Sequence, residues 1–486
     1  MRCAWPWESE IAMTKLIHPN DPPPLRLHQT EAIQFSLNKE EPEFFGLFMD
    51  PGTGKTKVAL EKMAYLYSRK EIDTALVFAP NGVHVQWIEE QAVEHCPIPY
   101  RAIVWVPNRT KTWKDTSRWT LGKRDALLIV AMNYEALTTK DGLNFCRYLM
   151  ANRKVGIFAD ESSRIRNPKA IRTKQMLGLA PQAKARIIMT GTPIAKGLEN
   201  LWSQMQFLSP DILSCKNFIQ FRSLYCKVRP LPGRRGVVII SGYQRVQELM
   251  GLINPHVFVK RKEDCLDLPD KIYQKSPVPL TPEQERAYQT MRDELIVELS
   301  ELQRVTVAHL ISARAKLRQI AIGFIMDKEK KVAPLPSKRW ERALEHLEQA
   351  PGKTILWTSF RWCLREWERI LQKEDIGYVR YQKGDNEAIH RWRRDPAIRV
   401  FLGNPHSGGI GLNLAAADTM LYFNNTDDAE VRWQSEDRAH RIGQTKHLNI
   451  IDLYSPKTVE VLMQKQQAEK ETLAHVVMRR GWKAAL

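Results

Sequence analysis

Residues 44–56 read Phe-Phe-Gly-Leu-Phe-Met-Asp-Pro-Gly-Thr-Gly-Lys-Thr, and this stretch decides the fold of the first half of the chain. Residues 44–48 form a short apolar run typical of a buried strand. The proline and glycines that follow predict a loop, and residues 58–67 predict a helix. A strand, a glycine-containing loop and a helix N-terminus together make a phosphate-binding site, because backbone N–H groups and the positive end of the helix meet there.

The side chains of this loop extend the prediction to a nucleotide and its metal ion. We expect Lys55 to reach the β and γ phosphates and Thr56 to bind Mg²⁺. The strict P-loop pattern has glycine where this chain has Met49. The loop residues expected to contact the phosphates are Gly52, Thr53, Gly54, Lys55 and Thr56.

A second apolar run, residues 155–159, ends in the adjacent carboxylates Asp160 and Glu161. A P-loop site needs one acidic group to hold the metal ion and another to activate water. We therefore predict that Asp160 binds Mg²⁺, directly or through water, and that Glu161 is the general base. An Asp-Glu pair after a strand can also cap a helix, but its place after a P-loop favours catalysis.

Similar apolar runs recur along the chain with helical patterns between them, which is typical of βαβ units and parallel sheets. The predicted strands are residues 75–79, 127–132, 155–159, 186–189, 354–357, 399–402, 419–423 and 448–453. Between the two groups, apolar residues at spacings of three and four predict a helix over residues 281–305 and a second over 308–320. The sequence thus indicates two similar α/β halves.

The chain has 486 residues, of which 73 are basic and 55 acidic, so its formal net charge is +18. This excess favours a polyanionic partner. Residues 222–262 hold nine basic residues against one acidic residue, a net charge of +8, and residues 101–124 form a second basic cluster that contains three tryptophans. Each cluster alone fits a solvated loop equally well, whereas two in one chain favour contact with a phosphate backbone.

Several classes of protein are excluded by composition. With 43% hydrophobic and 26% charged residues the chain is neither disordered nor fibrous. No apolar run is long enough to cross a bilayer, and residues 1–10 contain two glutamates where a signal peptide would be apolar, so we expect neither a membrane nor export. The seven cysteines form no Cys-x-x-Cys pair, which argues against zinc and against a disulfide framework.

The second half contributes two arginines, Arg438 and Arg441. Residues 432–441 predict a helix that Gly443 ends, which would put both guanidinium groups on one face, where they could stabilise charge on the γ phosphate. A surface helix with salt bridges to Glu436 and Asp437 explains the same pattern equally well.

With these stretches in place, the sequence resembles the Swi/Snf-type ATPases, the DNA translocase branch of superfamily-two helicases. Residues 437–444, Asp-Arg-Ala-His-Arg-Ile-Gly-Gln, are very similar to motif VI of that family. The other matching stretches are residues 27–29 (glutamine motif), 49–56 (motif I), 78–87 (motif Ia), 133–135 (the family's Thr-Tyr-Glu segment after motif Ia), 160–167 (motif II), 189–193 with 201–202 (motif III), 355–360 (motif IV) and 408–414 with 417–419 (motif V).

The resemblance implies an α/β fold of two RecA-like parallel-sheet lobes with helical insertions. The expected organisation is a tail over residues 1–24, a first lobe over 25–270 with a basic insertion at about 215–262, and a second lobe over 271–486 with a helical insertion at about 281–330 and a short C-terminal helix. Roles implied for single residues are adenine reading by Gln29, nucleotide binding by Gly411 and Gln434, coupling by Thr190, Gly191 and Thr192, and DNA contact by Lys260, Arg261 and Lys262. The charge pattern adds Arg234 and Arg235 to the expected DNA contacts.

One departure from the family concerns motif II, where the usual Asp-Glu-Ala-His is Asp-Glu-Ser-Ser in this chain. Ser163 replaces the histidine that helps to couple lobe closure to hydrolysis, so coupling is less firmly predicted than hydrolysis.

These features predict a monomeric, DNA-stimulated ATPase that uses ATP and Mg²⁺ to translocate on double-stranded DNA. A strand-separating DNA or RNA helicase shares motifs I to VI and is one alternative. An ATP-gated DNA clamp with little turnover is another, although a clamp has no need of a general base. The expected compartment is the cytoplasm of a bacterium or a virus-infected cell, or the nucleus in a eukaryote.

Overall fold

Two parallel sheets form the framework of the chain. The computed structural model describes residues 16–18, 22–39, 41, 43–107, 110–194, 197–215, 217–230, 238–301, 307–327, 329, 331–382, 385–408, 412–426, 428–465 and 467. These residues divide into two compact units, one ending at Leu266 and the other beginning at Asp267. The junction predicted from the sequence, between residues 270 and 271, lies four residues further on.

The first unit is built on a seven-stranded parallel sheet in the order β3-β4-β2-β5-β6-β1-β9, and β7 and β8 form a separate antiparallel hairpin. Its strands are β1 (Phe44–Met49), β2 (Thr74–Ala79), β3 (Tyr100–Val104), β4 (Leu127–Asn133), β5 (Val155–Asp160), β6 (Ala185–Thr190), β7 (Cys226–Pro230), β8 (Val238–Tyr243) and β9 (Val257–Lys260). The inner strands are apolar along nearly their whole length because helices cover both faces of the sheet.

The helices of the first unit cover this sheet and connect its strands. They are Leu27–Leu37, Lys55–Ser68, Val83–Gln86, Ala92–His95, Lys111–Gly122, Lys140–Asn152, Ile171–Leu179, Asn200–Leu208, Phe218–Tyr225 and Val246–Ile253. A π-helical turn, Trp87–Gln91, joins the third of these to the fourth, and short 3₁₀ turns occur at Tyr134–Thr138, Ser162–Ile165, Ala180–Gln182 and Asn254–His256.

The second unit repeats this plan with a six-stranded parallel sheet in the order β10-β17-β16-β13-β15-β14. Its strands are β10 (Lys271–Pro277), β11 (Phe324–Met326), β12 (Val332–Pro334), β13 (Lys353–Trp357), β14 (Tyr378–Arg380), β15 (Val400–Gly403), β16 (Ala417–Tyr422) and β17 (Leu448–Tyr454), with β11 and β12 as a separate antiparallel pair. Its helices are Pro282–Glu301, Val307–Ile322, Arg339–Gln349, Arg361–Lys373, Asn386–Arg394, Pro405–Gly408 and Ala429–Glu436.

The predicted α/β class with two parallel sheets is confirmed, and so are the two helices expected between the halves. The prediction of a helix over residues 432–441 is wrong, because the helix ends at Glu436. The expected C-terminal helix falls largely on residues 468–486, which lie outside the described residues. Across the described part of the chain, no helix is both long enough and apolar enough to span a bilayer.

The register of the first sheet brings the chemically interesting strand ends to one edge. Phe48 of β1 pairs with Thr190 of β6, and Asp160 of β5 pairs with Met189 of β6. Because parallel strands end at the same edge, the P-loop, the acidic pair and the motif III stretch follow three adjacent strands.

Candidate functional site

The P-loop adopts the conformation that its glycines predict. Gly52 and Gly54 have φ values of 83° and 87°, and the helix Lys55–Ser68 begins directly after Gly54. A Cβ atom at Gly54 would lie 2.0 Å from Nε2 of the buried Gln29, and any side chain at this positive φ would be strained. The loop thus presents backbone N–H groups at a helix N-terminus, the arrangement that binds phosphate.

Lys55 and its neighbours are held by the backbone of the loop itself. The Lys55 Nζ donates to the carbonyl oxygens of Met49 at 2.7 Å and Asp50 at 3.2 Å. Thr53 Oγ1 donates to the same Asp50 carbonyl at 2.7 Å. Thr56, half-buried in the first helical turn, carries the hydroxyl expected to bind Mg²⁺. These contacts hold the ammonium group of Lys55 at the loop that is predicted from the sequence to bind phosphate.

The glutamine motif packs directly against the P-loop. Gln29 is buried, and its Oε1 accepts from the backbone N–H of Arg26 at 2.9 Å while its Nε2 donates to the Thr53 carbonyl at 3.4 Å. His28 Nε2 lies 2.8 Å from the same Thr53 oxygen, a contact to which sequence analysis had assigned no role. Adenine reading by Gln29 stays a prediction; the observed contact is with the loop.

The acidic pair at the end of β5 is held from several sides. Asp160 Oδ2 accepts from the indole Nε1 of Trp87 at 2.9 Å, and Oδ1 accepts from the backbone N–H of Glu161 at 3.0 Å. The Tyr134 hydroxyl donates to the Asp160 carbonyl at 2.7 Å. Burial, and then the charge of Asp160, raises the pKa of Tyr134 well above its usual value, so this hydroxyl stays a donor. The Asp160 carboxylate is therefore held by the adjacent backbone on one oxygen and by the distant Trp87 on the other.

The motif III residues lie beside both the acidic pair and the P-loop. Thr190 Oγ1 donates to Glu161 Oε2 at 3.2 Å, and the backbone N–H of Thr192 donates to the Thr190 hydroxyl at 3.1 Å. A Cβ atom at Gly191 would lie 2.5 Å from Cδ of Pro51, so glycine permits the close approach of the two turns. Thr190 and Gly191 thus connect the general base predicted here to the phosphate loop.

Gln204, which no sequence motif singles out, joins motif II to motif III. Its Oε1 accepts from the Ser162 hydroxyl at 2.7 Å, and its Nε2 donates to the carbonyl oxygens of Pro193 at 2.9 Å and Asn200 at 3.0 Å. The side chain is fully buried in the helix Asn200–Leu208. A glutamine flanked by the apolar residues Trp202, Met205 and Phe207 was the available signal, because a buried amide requires hydrogen-bond partners.

Two of the residues expected to contact DNA have carboxylate partners within the first unit. Lys260, at the end of the edge strand β9, donates to Glu31 at 2.8 Å. Arg261 pairs with Glu263. These ion pairs neutralise part of the charge that suggested a DNA contact, and β9 places Lys260 in the sheet beside the P-loop strand.

Lys262 is buried, and its backbone N–H donates to Asp50 Oδ2 at 3.0 Å. This contact ties the end of the first unit to the P-loop. Arg234 and Arg235, the other expected DNA contacts, lie outside the described residues.

The basic cluster of residues 101–124 has a structural explanation for part of its pattern. Arg101 is buried and forms two hydrogen bonds with Asp125, at 2.7 and 2.9 Å. Trp105 and Trp113 are buried in the core, whereas Trp119 is 45% exposed. The tryptophans within this cluster therefore do not form a continuous exposed stacking surface.

In the second unit, both predicted arginines follow a helix and do not lie on one. The helix Ala429–Glu436 ends before Arg438 and Arg441, which occupy the turns after it. Arg441 Nη1 donates to the Leu412 carbonyl at 3.2 Å, and the backbone N–H of Leu414 donates to the Arg438 carbonyl at 2.8 Å. These bonds join motif VI to motif V, and turn geometry, not a shared helical face, positions the two guanidinium groups.

Two further residues predicted to bind nucleotide belong to the same motifs. Gln434 is buried within the helix Ala429–Glu436. Gly411 lies outside the described residues.

A buried charge network closes the end of this helix. Arg432 Nε donates to Glu436 at 2.7 Å, and its Nη2 donates to Asp452 at 3.1 Å. Glu436 Oε2 also accepts from Lys271 at 3.0 Å and from the Tyr273 hydroxyl at 2.8 Å. The alternative of a surface salt-bridge helix is therefore incorrect for Glu436, because its own carboxylate is buried and is bonded to Arg432 of the same helix and to Lys271 and Tyr273 of β10.

Metal binding by a dedicated cluster has no candidate within the described residues. There, no group of three or more His, Cys, Asp or Glu side chains could hold a metal ion.

Comparisons with known proteins assign the family. Residues 28–322 match the SNF2-related domain. The chain is 25% identical over 464 residues to an uncharacterized ATP-dependent helicase of Mycoplasma pneumoniae, covering 92% of this chain and 42% of that protein. It is 26% identical over 482 residues to a probable ATP-dependent DNA helicase of Arabidopsis thaliana, covering 94% of this chain and 43% of that protein.

Among solved structures, the chain is similar to the Sulfolobus solfataricus SWI2/SNF2 ATPase core in complex with dsDNA, with 24% identity, 96% of both chains covered and a TM-score of 0.43. The chain spans less than half the length of the two helicases described above. The SNF2-related match covers more than half of this chain and confirms the resemblance found in its motifs, so the chain belongs to the SNF2-related family.

Proposed function

We propose that the chain is a DNA-dependent ATPase that couples ATP hydrolysis to translocation along double-stranded DNA and thereby remodels protein–DNA or branched DNA structures. The observation that carries the proposal is the meeting of three segments at one sheet edge: the P-loop with Lys55, the acidic pair, and Thr190 bonded to Glu161. Membership of the SNF2-related family and the names of its helicase relatives support it.

In this proposal the P-loop binds the phosphates of ATP. Backbone N–H groups around Gly52 and Gly54 and the helix N-terminus hold the phosphate oxygens, and Lys55 exchanges its carbonyl partners for the β and γ phosphates. Glu161 takes a proton from the attacking water, with its carboxylate oriented by the Thr190 hydroxyl. Arg438 and Arg441 of the second unit stabilise the charge that develops on the transferred phosphoryl group.

The first unit has the oxygen ligands that Mg²⁺ requires. The Asp160 carboxylate ends the buried strand β5, which β6 separates from the P-loop strand β1, and Thr56 supplies a hydroxyl at the helix start. Mg²⁺ is usually held by one or two carboxylates together with substrate phosphates, which fits this donor set. When bound, the ion would neutralise phosphate charge; Asp160, oriented by Trp87, and Thr56 would hold it.

The polyanionic partner in this proposal is duplex DNA, bound by a monomer. A net charge of +18 supports a nucleic-acid partner, and a SNF2-related domain together with a DNA helicase relative supports DNA over RNA. The bacterial or virus-infected cytoplasm is the compartment we propose.

A strand-separating helicase is the second candidate, and one observation favours it. The antiparallel hairpin of β7 and β8 is separate from the main sheet, its strand β7 is largely exposed, and it could serve as a wedge between nucleic-acid strands. The clamp alternative has less support, because the hydrogen bond from Thr190 orients a general base that a clamp would not use.

The test compares ATPase rates with duplex DNA, single-stranded DNA and RNA in parallel, together with two strand assays. A duplex translocase is stimulated most by duplex DNA, displaces the third strand of a triplex, and unwinds a forked duplex poorly. Efficient fork unwinding without triplex displacement would favour the helicase. Strong stimulation by RNA alone would contradict the proposed substrate, since A-form geometry presents a differently spaced backbone.

A further inference from the structure

The hairpin of β7 and β8, called here the basic hairpin, carries unneutralised positive charge. Lys227 and Arg229 are two residues apart on β7, and the pairing of β7 with β8 has a register irregularity between Lys227 and Val228. Both are exposed, and in the part of the chain that the structure describes neither forms an ion pair. Two exposed cations that lie close together on one strand and have no carboxylate partner are suited to contact a phosphate backbone.

The base of the basic hairpin is fastened to the body of the first unit at β8. The Tyr243 hydroxyl donates to Glu199 Oε2 at 2.7 Å. A Cβ atom at Gly197 would lie 2.0 Å from the Tyr243 oxygen, so glycine allows this approach. Burial, and then the charge of Glu199, raises the pKa of Tyr243, so the hydroxyl remains a donor at neutral pH.

Glu199 is also the residue before the first turn of the helix Asn200–Leu208, and that helix reaches the catalytic segments. Gln204 lies five residues further on, about 7.5 Å along the helix axis. Its amide bonds Ser162, which follows Glu161, and the carbonyl of Pro193, which follows Thr192. One short helix is thus bonded to the basic hairpin at its start and to motifs II and III at its middle.

We infer that the basic hairpin binds the DNA backbone and that the helix Asn200–Leu208 transmits this binding to Glu161 and Thr190. The inference rests on the proposed function, since it assumes hydrolysis that responds to DNA. Movement of Tyr243 displaces Glu199. Because the helix Asn200–Leu208 is buried and closely packed, this displacement is not taken up by voids and reaches the segments of Ser162 and Pro193. Such a link offers a route for coupling in a chain that has Ser163 in place of the motif II histidine.

The first experiment tests the DNA contact by the salt dependence of binding to duplex DNA without nucleotide. The double variant Lys227→Gln with Arg229→Gln should flatten the slope of log affinity against log salt by up to about two, at about 0.9 per phosphate neutralised. The matched control is Lys140→Gln with Arg147→Gln, which removes the same charge from the exposed face of the helix Lys140–Asn152. An unchanged slope in the hairpin variant, or an equal change in both variants, overturns the DNA contact.

The second experiment tests the transmission by the ratio of DNA-stimulated to basal ATPase rate. Tyr243→Phe removes only the hydroxyl that reaches Glu199, and should keep the basal rate and the salt slope while lowering the ratio about fivefold or more. Tyr225→Phe is the control, because it removes a hydroxyl next to the same hairpin whose hydrogen bond, at 3.2 Å, goes to Glu248 in the helix Val246–Ile253. An unaffected Tyr243→Phe protein, or the same loss in Tyr225→Phe, overturns the transmission.

A double-variant cycle separates a shared route from two independent defects. Ser162→Ala breaks the other end of the link, so Tyr243→Phe combined with Ser162→Ala should lose no more stimulation than the more severe single variant. Fully additive losses overturn a shared route. Failure of the wild-type chain to respond to DNA at all contradicts the proposed function, whereas a responsive wild type with an unaffected Tyr243→Phe variant contradicts this inference alone.

Discussion

The backbone of Glu161 lies in the left-handed region, with φ of 52° and ψ of 56°. Residues other than glycine seldom adopt this conformation, and holding one there costs on the order of 1–3 kcal/mol. The bond from its own N–H to Asp160 and the bond from Thr190 to its carboxylate accompany this conformation. Strain of this kind concentrates at functional sites, which agrees with the role proposed for Glu161 as base.

Replacing the carboxylate of Glu161 tests that role. Glu161→Gln should bind ATP normally and hydrolyse it roughly 100-fold more slowly or worse, because a general base contributes about 10² to 10⁴ in rate. Lys55→Ala should instead weaken ATP binding, since the proposed function assigns the ammonium group of Lys55 to the β and γ phosphates. Nucleotide affinity and single-turnover hydrolysis distinguish the two effects, and a wild-type rate for Glu161→Gln would show that the base is another group.

The indole of Trp87 should orient the Asp160 carboxylate for the metal ion. Trp87→Phe keeps a buried aromatic ring but removes the N–H that donates to Oδ2 at 2.9 Å. A hydrogen bond to a charged group contributes about 1.5–3 kcal/mol, so we expect Mg²⁺-dependent nucleotide affinity to fall by roughly tenfold or more. The measurement is binding of a fluorescent nucleotide with and without Mg²⁺.

Trp113→Phe is the control for this experiment, because it removes an indole N–H that donates to the Val104 carbonyl, away from the acidic pair. If both variants weaken nucleotide binding equally, or if Trp87→Phe loses the same affinity without Mg²⁺, then the loss comes from disturbed packing and not from the orientation of Asp160.

At the scale of elements, the helix Ala429–Glu436 depends on the buried charge at its end. Burial opposes ionisation of Glu436, but the charges of Lys271 and Arg432 outweigh it and hold the pKa at about 2, below the ordinary value of 4.5. A carboxyl whose pKa is lowered in the folded state stabilises that state above its unfolded pKa. This contribution is therefore present above about pH 4.5 and disappears as the pH falls toward 2.

Removing the Glu436 charge should flatten that part of the acid-unfolding profile. Glu436→Gln leaves Arg432 and Lys271 with fewer partners, so the free energy of unfolding at neutral pH should fall by about 3–5 kcal/mol. Denaturant unfolding of the whole chain at several pH values measures both effects. Glu348→Gln, an exposed position in the same unit, is the control. An unchanged acid dependence in Glu436→Gln would assign the acid sensitivity to other carboxyl groups.

At the scale of the whole molecule, the proposed chemistry draws on both units, with the P-loop in the first and Arg441 in the second. Arg441→Ala should leave nucleotide affinity largely intact, because the phosphate loop is complete within the first unit. DNA-stimulated turnover should fall by roughly 10³-fold or more if Arg441 acts as an arginine finger.

Measuring equilibrium nucleotide binding and DNA-stimulated rate on the same preparation checks this prediction. Arg394→Ala, at the exposed end of the helix Asn386–Arg394, controls for loss of a basic residue from the second unit. A fully active Arg441→Ala protein would contradict the two-unit mechanism.

The sequence by itself determined the parts of the molecule that are contiguous in the chain. The P-loop is one such part, because strand, loop and helix follow one another and each glycine shows where the backbone must turn left-handed. The inner strands were also predictable, since a strand covered on both faces must be apolar throughout. The helices Pro282–Glu301 and Val307–Ile322 followed from their own periodicity.

Only the tertiary structure identified the four edge strands of the two parallel sheets, none of which was predicted from the sequence. They are β3, β9, β10 and β14. An edge strand pairs on one side only, and these strands contain residues such as Arg101, Lys260 and Lys271 that need charged partners elsewhere in the chain. Their composition therefore lacks the continuous apolar signal of an inner strand.

The contacts that orient the site were decided in the same way. The bonds of Asp160 to Trp87 and of Ser162 to Gln204 join residues that are 73 and 42 positions apart. Local pattern gives the chemical type of each partner but not its distance, because only folding brings separate strand ends and helices together. The sequence thus identified which groups could do the chemistry, and the parallel sheet, by ending its strands at one edge, decided which of them meet.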